Sequence, residues 1–155
     1  MATIPNNDDV ARVIFSPKMV RNGVLLLQAF TLTPENSEKY LSVLWTSQET
    51  WNTEVYLIPE NEVRKRYGYA LMNVGEVVDL NFSDVLFEVK HCPSKKLLSH
   101  SGIYVTVNDK ALIGGKNIED VPQGFTQDSL LLQIRNRLRN LAQKRLFEIE
   151  KPKQD

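Results

Sequence analysis

Apolar and polar positions alternate most cleanly in VLFEVKHC (85 to 92), where Val85, Phe87 and Val89 fall on one side and Glu88 and Lys90 on the other. A period of two is the mark of a half-buried β-strand. GIYVTV (102 to 107) repeats the alternation with Ile103, Val105 and Val107 and stops at Asn108-Asp109, a turn pair. ARVIF (11 to 15) is β-branched and ends at Ser16-Pro17, where proline drives its predecessor into extended geometry, so it also reads as a strand. YLSVLW reads the same way, and YALMNV and EVVDL, parted by Gly75, add two strand pieces. GVLLLQAF follows the Asn22-Gly23 turn signal and is too short for periodicity to separate a buried strand from a turn or two of helix.

Helical patterning appears in three places. TPENSEKY offers Thr33 as an N-cap, Pro34 at the first helical position and Glu35 behind it, which starts a short helix or turn. From Ile58, Pro59, Glu60 and Glu62 lead and Arg64, Lys65 and Arg66 close before Gly68, which predicts a helix of about two or three turns matched to its macrodipole. The longest helix is expected from Thr126, its N-cap, to about Glu150, with Asp128 in the first turn. Its apolar stripe would be Leu131, Ile134, Leu138 and Leu141, continued by Arg145, with Arg135, Arg137, Arg139 and Lys144 off the stripe. The expected fold is α+β: a mainly antiparallel sheet, a short middle helix and a long C-terminal helix packed on or beside the sheet. Residues 10 to 150 form its single domain, with flexible ends at 1 to 9 and 151 to 155.

The two best strands should pair as a hairpin. Setting Val89 opposite Ile103, Phe87 opposite Val105 and Val85 opposite Val107 puts every large apolar residue on one face. The ladder then continues with His91 opposite Ser101 and Cys92 opposite His100, around a connection at roughly 93 to 99. Successive strand residues point to opposite faces. His91 therefore belongs to the core side, while Cys92 and His100 share the other face with Glu88, Lys90 and Tyr104.

Composition narrows the classes. The chain has 155 residues, enough for an ordinary core, and its 19 Lys plus Arg balance 19 Asp plus Glu, so no global field draws it to nucleic acid or an anionic membrane. A single cysteine forms no internal disulfide, and MATIPNNDDV lacks the basic start and apolar run of a signal peptide, so a cytoplasmic location is expected. GVLLLQAF is far too short for a bilayer, which takes about 20 apolar residues, so no membrane association is expected.

The reactive side chains gather in HCPSKKLLSHSG (91 to 102), which holds both histidines and the only cysteine. A thiol beside an imidazole is the arrangement that activates a cysteine nucleophile, so Cys92 with His100 is one candidate catalytic pair. His100 alone, as a general acid or base on a phosphoryl or acyl group, is another, with Lys95, Lys96 and Ser99 to hold an anion. The plain alternative makes Lys95 and Lys96 the solvated tip of a turn. Structural zinc takes four Cys or His ligands and the chain has three such residues, so no metal is expected, nor any cofactor. IGGK (113 to 116) lacks P-loop spacing and reads as a turn. Trp45, Trp51, Tyr56, Tyr67 and Tyr69 are either core or a stacking surface. From Arg135 onward the chain is locally positive by four, and Arg135 and Arg139 are the candidate contacts to nucleic acid or an acidic protein.

Pro93, Ser99, His100, Ser101 and Ile103 match a Pro-loop-[Ala/Ser]-His-[Ala/Ser]-x-[Ile/Val] segment, and ARVIFSP, LLQAF and YLSVLW match openings that accompany it. In these stretches, spread up to about residue 107, the chain resembles a group of small bacterial proteins of uncharacterised activity. The resemblance implies a reused scaffold centred on His100 and no particular reaction. Cys92 departs from the pattern, which speaks against a shared role for the thiol. The expected function is a small cytoplasmic binding module for a protein partner; the alternative is a His100-dependent hydrolase or transferase, possible Cys92 assistance included.

Overall fold

The computed structural model describes residues 2–31, 39–112 and 121–149. In chain order these form β1 (Ala2–Thr3), β2 (Asp9–Ser16), β3 (Val20–Arg21), β4 (Val24–Leu25), a 3-10 turn (Leu27–Phe30) and β5 (Leu41–Trp45). There follow α1 (Trp51–Glu54), running into a second 3-10 turn (Val55–Leu57), β6 (Lys65–Asn73), α2 (Val74–Val78), β7 (Val85–His91) and β8 (His100–Val107). The order closes with β9 (Lys110–Ala111), α3 (Gln127–Gln143) and β10 (Leu146–Glu148). The fold is α+β. One antiparallel sheet runs β1-β7-β8-β5-β2-β6-β10, with β9 paired to β8, and β3 and β4 form a separate hairpin. The candidate cap at Thr33 and the IGGK segment lie outside the described residues.

The two turn signals do what their chemistry allows. Asn22 and Gly23 both hold positive φ (53° and 76°) between β3 and β4, as do Asn108 and Asp109 (51° and 65°) between β8 and β9. Two central residues of positive φ match the twist of the flanking strands. GVLLLQAF divides between strand and helix: Val24–Leu25 pairs with Val20–Arg21, and Leu27–Phe30 turns.

Four expectations are corrected. The short helix lies at 51–57, not at 58–66. Asn61 Oδ1 accepts the amides of Val63 and Arg64, both at 2.9 Å, a local turn that competes with helix. The charges expected to match a macrodipole instead meet across that turn, Arg66 to Glu60 at 3.3 Å, and Lys65 onward is strand. EVVDL is not strand: Asn73 Oδ1 accepts the Glu76 amide and caps α2. The C-terminal helix ends at Gln143, and Leu146–Glu148 returns to the sheet edge, where Phe147 stacks on Tyr69 with centroids 5.5 Å apart. Gly68 permits that approach, since a Cβ there would lie 1.8 Å from the Phe147 carbonyl oxygen. Residues 2 to 9 are also built into the fold: β1 pairs with β7, and Ile4 is buried, donating its amide to the Val89 carbonyl at 3.1 Å.

The main core lies on one face of the sheet. Val85, Phe87, Val89, Ile103, Val105 and Val107 join Leu130, Ile134, Leu138, Leu141 and Ala142 of α3, together with Val74 and Val77 of α2. Ile134, Leu138 and Leu141 form the helix stripe as expected, but it begins at buried Leu130 with Leu131 half-buried, and Arg145 lies beyond the helix in an ion pair with Asp9 at 2.8 Å. Thr126 and Ser129 cap each other reciprocally at its start. On the other face a smaller core of Ala11, Val13, Phe15, Leu44 and Val55 sits under α1 and the turn behind it. The central strand β2 is consequently apolar on both faces, whereas β7 exposes Leu86 and Glu88.

Candidate functional site

The β7–β8 hairpin has the register that its apolar pattern requires: Val85 faces Val107, Phe87 faces Val105, Val89 faces Ile103 and His91 faces Ser101. One step further, the Cys92 amide donates to the His100 carbonyl at 3.0 Å. The connection is closed locally, with Ser94 and His100 both donating their amides to Leu97 at 3.0 and 3.1 Å. The two histidines are thereby separated. His91 stands at the core edge against Trp45, with ring centroids 4.9 Å apart, and donates Nε2–H to the Leu98 carbonyl at 2.8 Å.

His100 is held differently. Its Nδ1 lies 2.9 Å from the Cys92 carbonyl oxygen, which can only accept, so Nδ1 carries the hydrogen. The neutral ring then has its lone pair on Nε2, which accepts from the Ser42 hydroxyl at 3.3 Å. Ser42 is exposed on β5, placed beside His100 by the pairing of Ser42 with Gly102 and Leu44 with His100. The Tyr40 ring packs edge-on to His100, centroids 5.7 Å apart, and covers Gly102 so closely that a Cβ there would come within 2.7 Å of it.

Cys92 Sγ is 3.5 Å from His100 Nδ1, so the sequence-derived pair does meet. Its chemistry is nevertheless unfavourable for a thiolate. Nδ1 already carries a hydrogen and cannot take the thiol proton. Burial pushes the thiol up from its ordinary value, opposed by hydrogen bonding with Tyr104 and Tyr40. Tyr104 is itself pushed up to about 12, first by burial and then by charge on Cys92 and Tyr40. An uncharged thiol is a poor nucleophile at neutral pH.

The cavity arises from a parting of strands. β2 and β5 pair only at Val10 with Trp45 and Ala11 with Leu44, then diverge. Arg12 crosses the gap, donating Nε to the Ala29 carbonyl at 3.0 Å and Nη1 to the Ser42 carbonyl at 2.8 Å. Beside it opens a cavity of about 290 Å³ lined by Val13, Phe15, Met19, Ile58, Arg12, Arg64, Ser42 and His100, among others. A second, shallower cavity of about 770 Å³ shares Ser42, Ile58 and His100 and is bounded by Lys95, Lys96, Ser94 and Leu97. The guanidinium of Arg64 lies 4.3 Å over the Phe15 ring, with Nε and Nη2 on the Pro59 carbonyl. Among the described residues, Arg12, Arg64, Lys95 and Lys96 border the two cavities and no Asp or Glu lines either.

Behind this cleft, buried Glu54 ties α1 to the start of β8. Its carboxylate accepts the Ser99 amide at 3.0 and 3.3 Å and the Thr50 hydroxyl at 2.8 Å. Bonds of this charge-assisted type position the residue that precedes His100.

The other sequence candidates fall elsewhere. Arg139 donates Nε to the Leu25 carbonyl at 2.8 Å, and Arg137 donates to the Leu80 carbonyl while lying 4.3 Å over Phe82. Arg135 is half-buried beside Phe30, Leu41 and Leu138. Arg135 and Arg139 thus sit on the helix side of the sheet and do not join the cleft. Trp51 packs on Tyr69, and Tyr56 is exposed. Arg12, Arg64 and Ser42 were not singled out from sequence; the only signal for Ser42 was its place in YLSVLW, one residue off the apolar positions. Among the described residues no group of three His, Cys, Asp or Glu side chains is arranged to hold a metal ion, and no helix is long and apolar enough to cross a membrane. The chain matches no protein-family model, no curated protein and no solved structure.

Proposed function

We infer that the protein binds a small anionic molecule in the cleft around His100 and acts on it with His100 as general acid and base, in transfer or hydrolysis of an acyl or phosphoryl group. The observation that carries this reading is the setting of one imidazole. Nδ1 is committed to the Cys92 carbonyl, Nε2 is directed to the Ser42 hydroxyl, and Arg64, Lys95 and Lys96 stand at the borders of the two cavities that share His100. The ammonium groups of Lys95 and Lys96 and the guanidinium of Arg64 favour anion entry at this rim, an attraction that weakens with salt.

We place the ligand in the cleft rather than on the helix arginines, because Arg139 is held by the Leu25 carbonyl and Arg135 is half-buried beside Phe30, Leu41 and Leu138. The test is titration of the full chain with inorganic phosphate, followed by the His100 ring resonances. Saturable shifts at His100 are expected, weakened in a Lys95→Ala, Lys96→Ala variant and in Arg64→Ala, and diminished by added sodium chloride. Ring resonances that stay fixed up to high phosphate would remove the reading. A protein partner is the second reading, favoured by the exposed apolar side chains Tyr56, Leu57 and Val63, of which Leu57 borders the cleft. Its test is crosslinking of the full chain in its native extract, which fails if a Leu57→Ser, Val63→Ser variant captures the same species.

A further inference from the structure

We propose that Ser42 is the nucleophile of this cleft, and that its substrate class is an ester whose acyl part carries an anionic group on a short aliphatic stem. The inference rests on the reading of His100 as a base and adds the group that attacks and the bond that breaks.

Three features single out Ser42. Its hydroxyl is 3.3 Å from His100 Nε2, the only ring nitrogen able to accept a proton. Nucleophile and base distances are often this long before substrate binds. The second feature is support for the base: the Cys92 carbonyl, 2.9 Å from Nδ1, fixes tautomer and ring orientation as the third member of a hydrolase triad does. A carbonyl brings a dipole and no full charge, so the imidazolium formed during attack is less stabilised than beside a carboxylate. The third feature is position. Ser42 is exposed, borders both cavities, and sits on a strand whose carbonyl at that residue is anchored by Arg12. Rigid backbone beneath a reacting atom is what orientation-dependent catalysis needs.

The walls specify the acyl part. Val13, Phe15, Met19 and Ile58 line the same cavity as Ser42 and Arg64 with apolar surface, while Arg64 Nη1 has no hydrogen-bond partner among the described residues. An aliphatic stem fits against the apolar wall and a terminal carboxylate meets the guanidinium.

In the reaction, Ser42 Oγ bonds to the ester carbonyl carbon as its proton passes to Nε2 and the carbonyl electron pair moves onto oxygen. Collapse breaks the bond to the leaving oxygen, which takes the proton from Nε2. Water then attacks the acyl-serine, giving a proton to Nε2, and Ser42 departs with that proton restored. The net change is ester plus water to carboxylic acid plus alcohol, with nothing oxidised or reduced.

The experiment uses the full chain with 4-nitrophenyl hydrogen succinate and, for comparison, 4-nitrophenyl acetate. Nitrophenol release should favour the succinate ester, and mass mapping should find the succinyl group on Ser42. Ser42→Ala and His100→Ala should each lower the rate by about 100-fold, the scale of general-base catalysis. S42C should regain acylation at the introduced thiol, and unchanged thermal midpoints show that the variants are folded. Equal rates in Ser42→Ala, acylation at another residue, or no acylation at all would overturn the assignment. If phosphate still shifts the His100 resonances in those samples, the cleft reading survives and Ser42 alone is refuted; if phosphate shifts nothing, both fall.

Discussion

Behind the sheet, β7 and β8 turn Val85, Phe87, Val89, Ile103, Val105 and Val107 into a core closed by α2 and α3, each 5% exposed or less. In front, the same two strands present Leu86, Glu88, Lys90 and Tyr104, and near the loop Cys92 and His100, none of them fully buried. One alternating pattern therefore produces two surfaces with different physics. The rear surface gains stability by excluding water. The front surface keeps polar groups at fixed separations, because the rigid ladder beneath them is already stable without them. Stability and chemistry are thus assigned to alternate residues of the same strands, and substitutions should separate them.

The largest contrast is between Phe87 and His100. Phe87→Ala should cost about 3–5 kcal/mol by opening a cavity, whereas His100→Ala should cost under about 1 kcal/mol, both read from urea unfolding. Similar losses for the two would abolish the distinction between the faces. Glu54 belongs to the front yet is 2% exposed, so it sharpens the contrast from within. Glu54→Ala leaves the Ser99 amide buried and unpaired, with an expected loss of about 1–3 kcal/mol and faster hydrogen exchange at Ser99. An unaltered exchange rate there would show that the carboxylate does not hold the start of β8.

Gly102→Ala should cost about 1–3 kcal/mol through the clash with Tyr40, and Tyr40→Ala in the same chain should relieve most of it. Strictly additive effects would mean that the ring does not lie over Gly102. The smallest effect at neutral pH concerns Tyr104. Its folded value, about 12, stands above the unfolded value near 10, so the fold binds this proton more tightly than the unfolded chain. The stability so contributed is present below about pH 10 and lost as pH rises toward about 12. Tyr104→Phe should flatten that alkaline decline in urea midpoint; an identical decline in both proteins would place the titrating group elsewhere.

Much of the hairpin was legible because its determinants are local. A period of two, a loop rich in turn formers and two strands of matched length admit one register that buries all the large apolar residues, and that register alone separates His91 from His100. The segment 58–66 misled because the order of its charges suits a helix end to end, yet the Asn61 side chain turns the backbone first and β6 begins at Lys65. The end of α3 was missed for a non-local reason: Phe147 gains a partner in Tyr69, some eighty residues away in sequence, that no helical periodicity reveals.

The amino-acid sequence by itself determined the α+β class, the β7–β8 hairpin with its register, the turns at Asn22-Gly23 and Asn108-Asp109 and the facing of Cys92 and His100, since each follows from steric and burial rules acting over neighbouring residues. Tertiary structure alone decided what His100 faces. Ser42 comes from β5, Arg12 from β2 and Arg64 from the turn before β6. They meet because β2 and β5 pair for two residues and then part, and where a sheet opens depends on what packs on both of its faces at once.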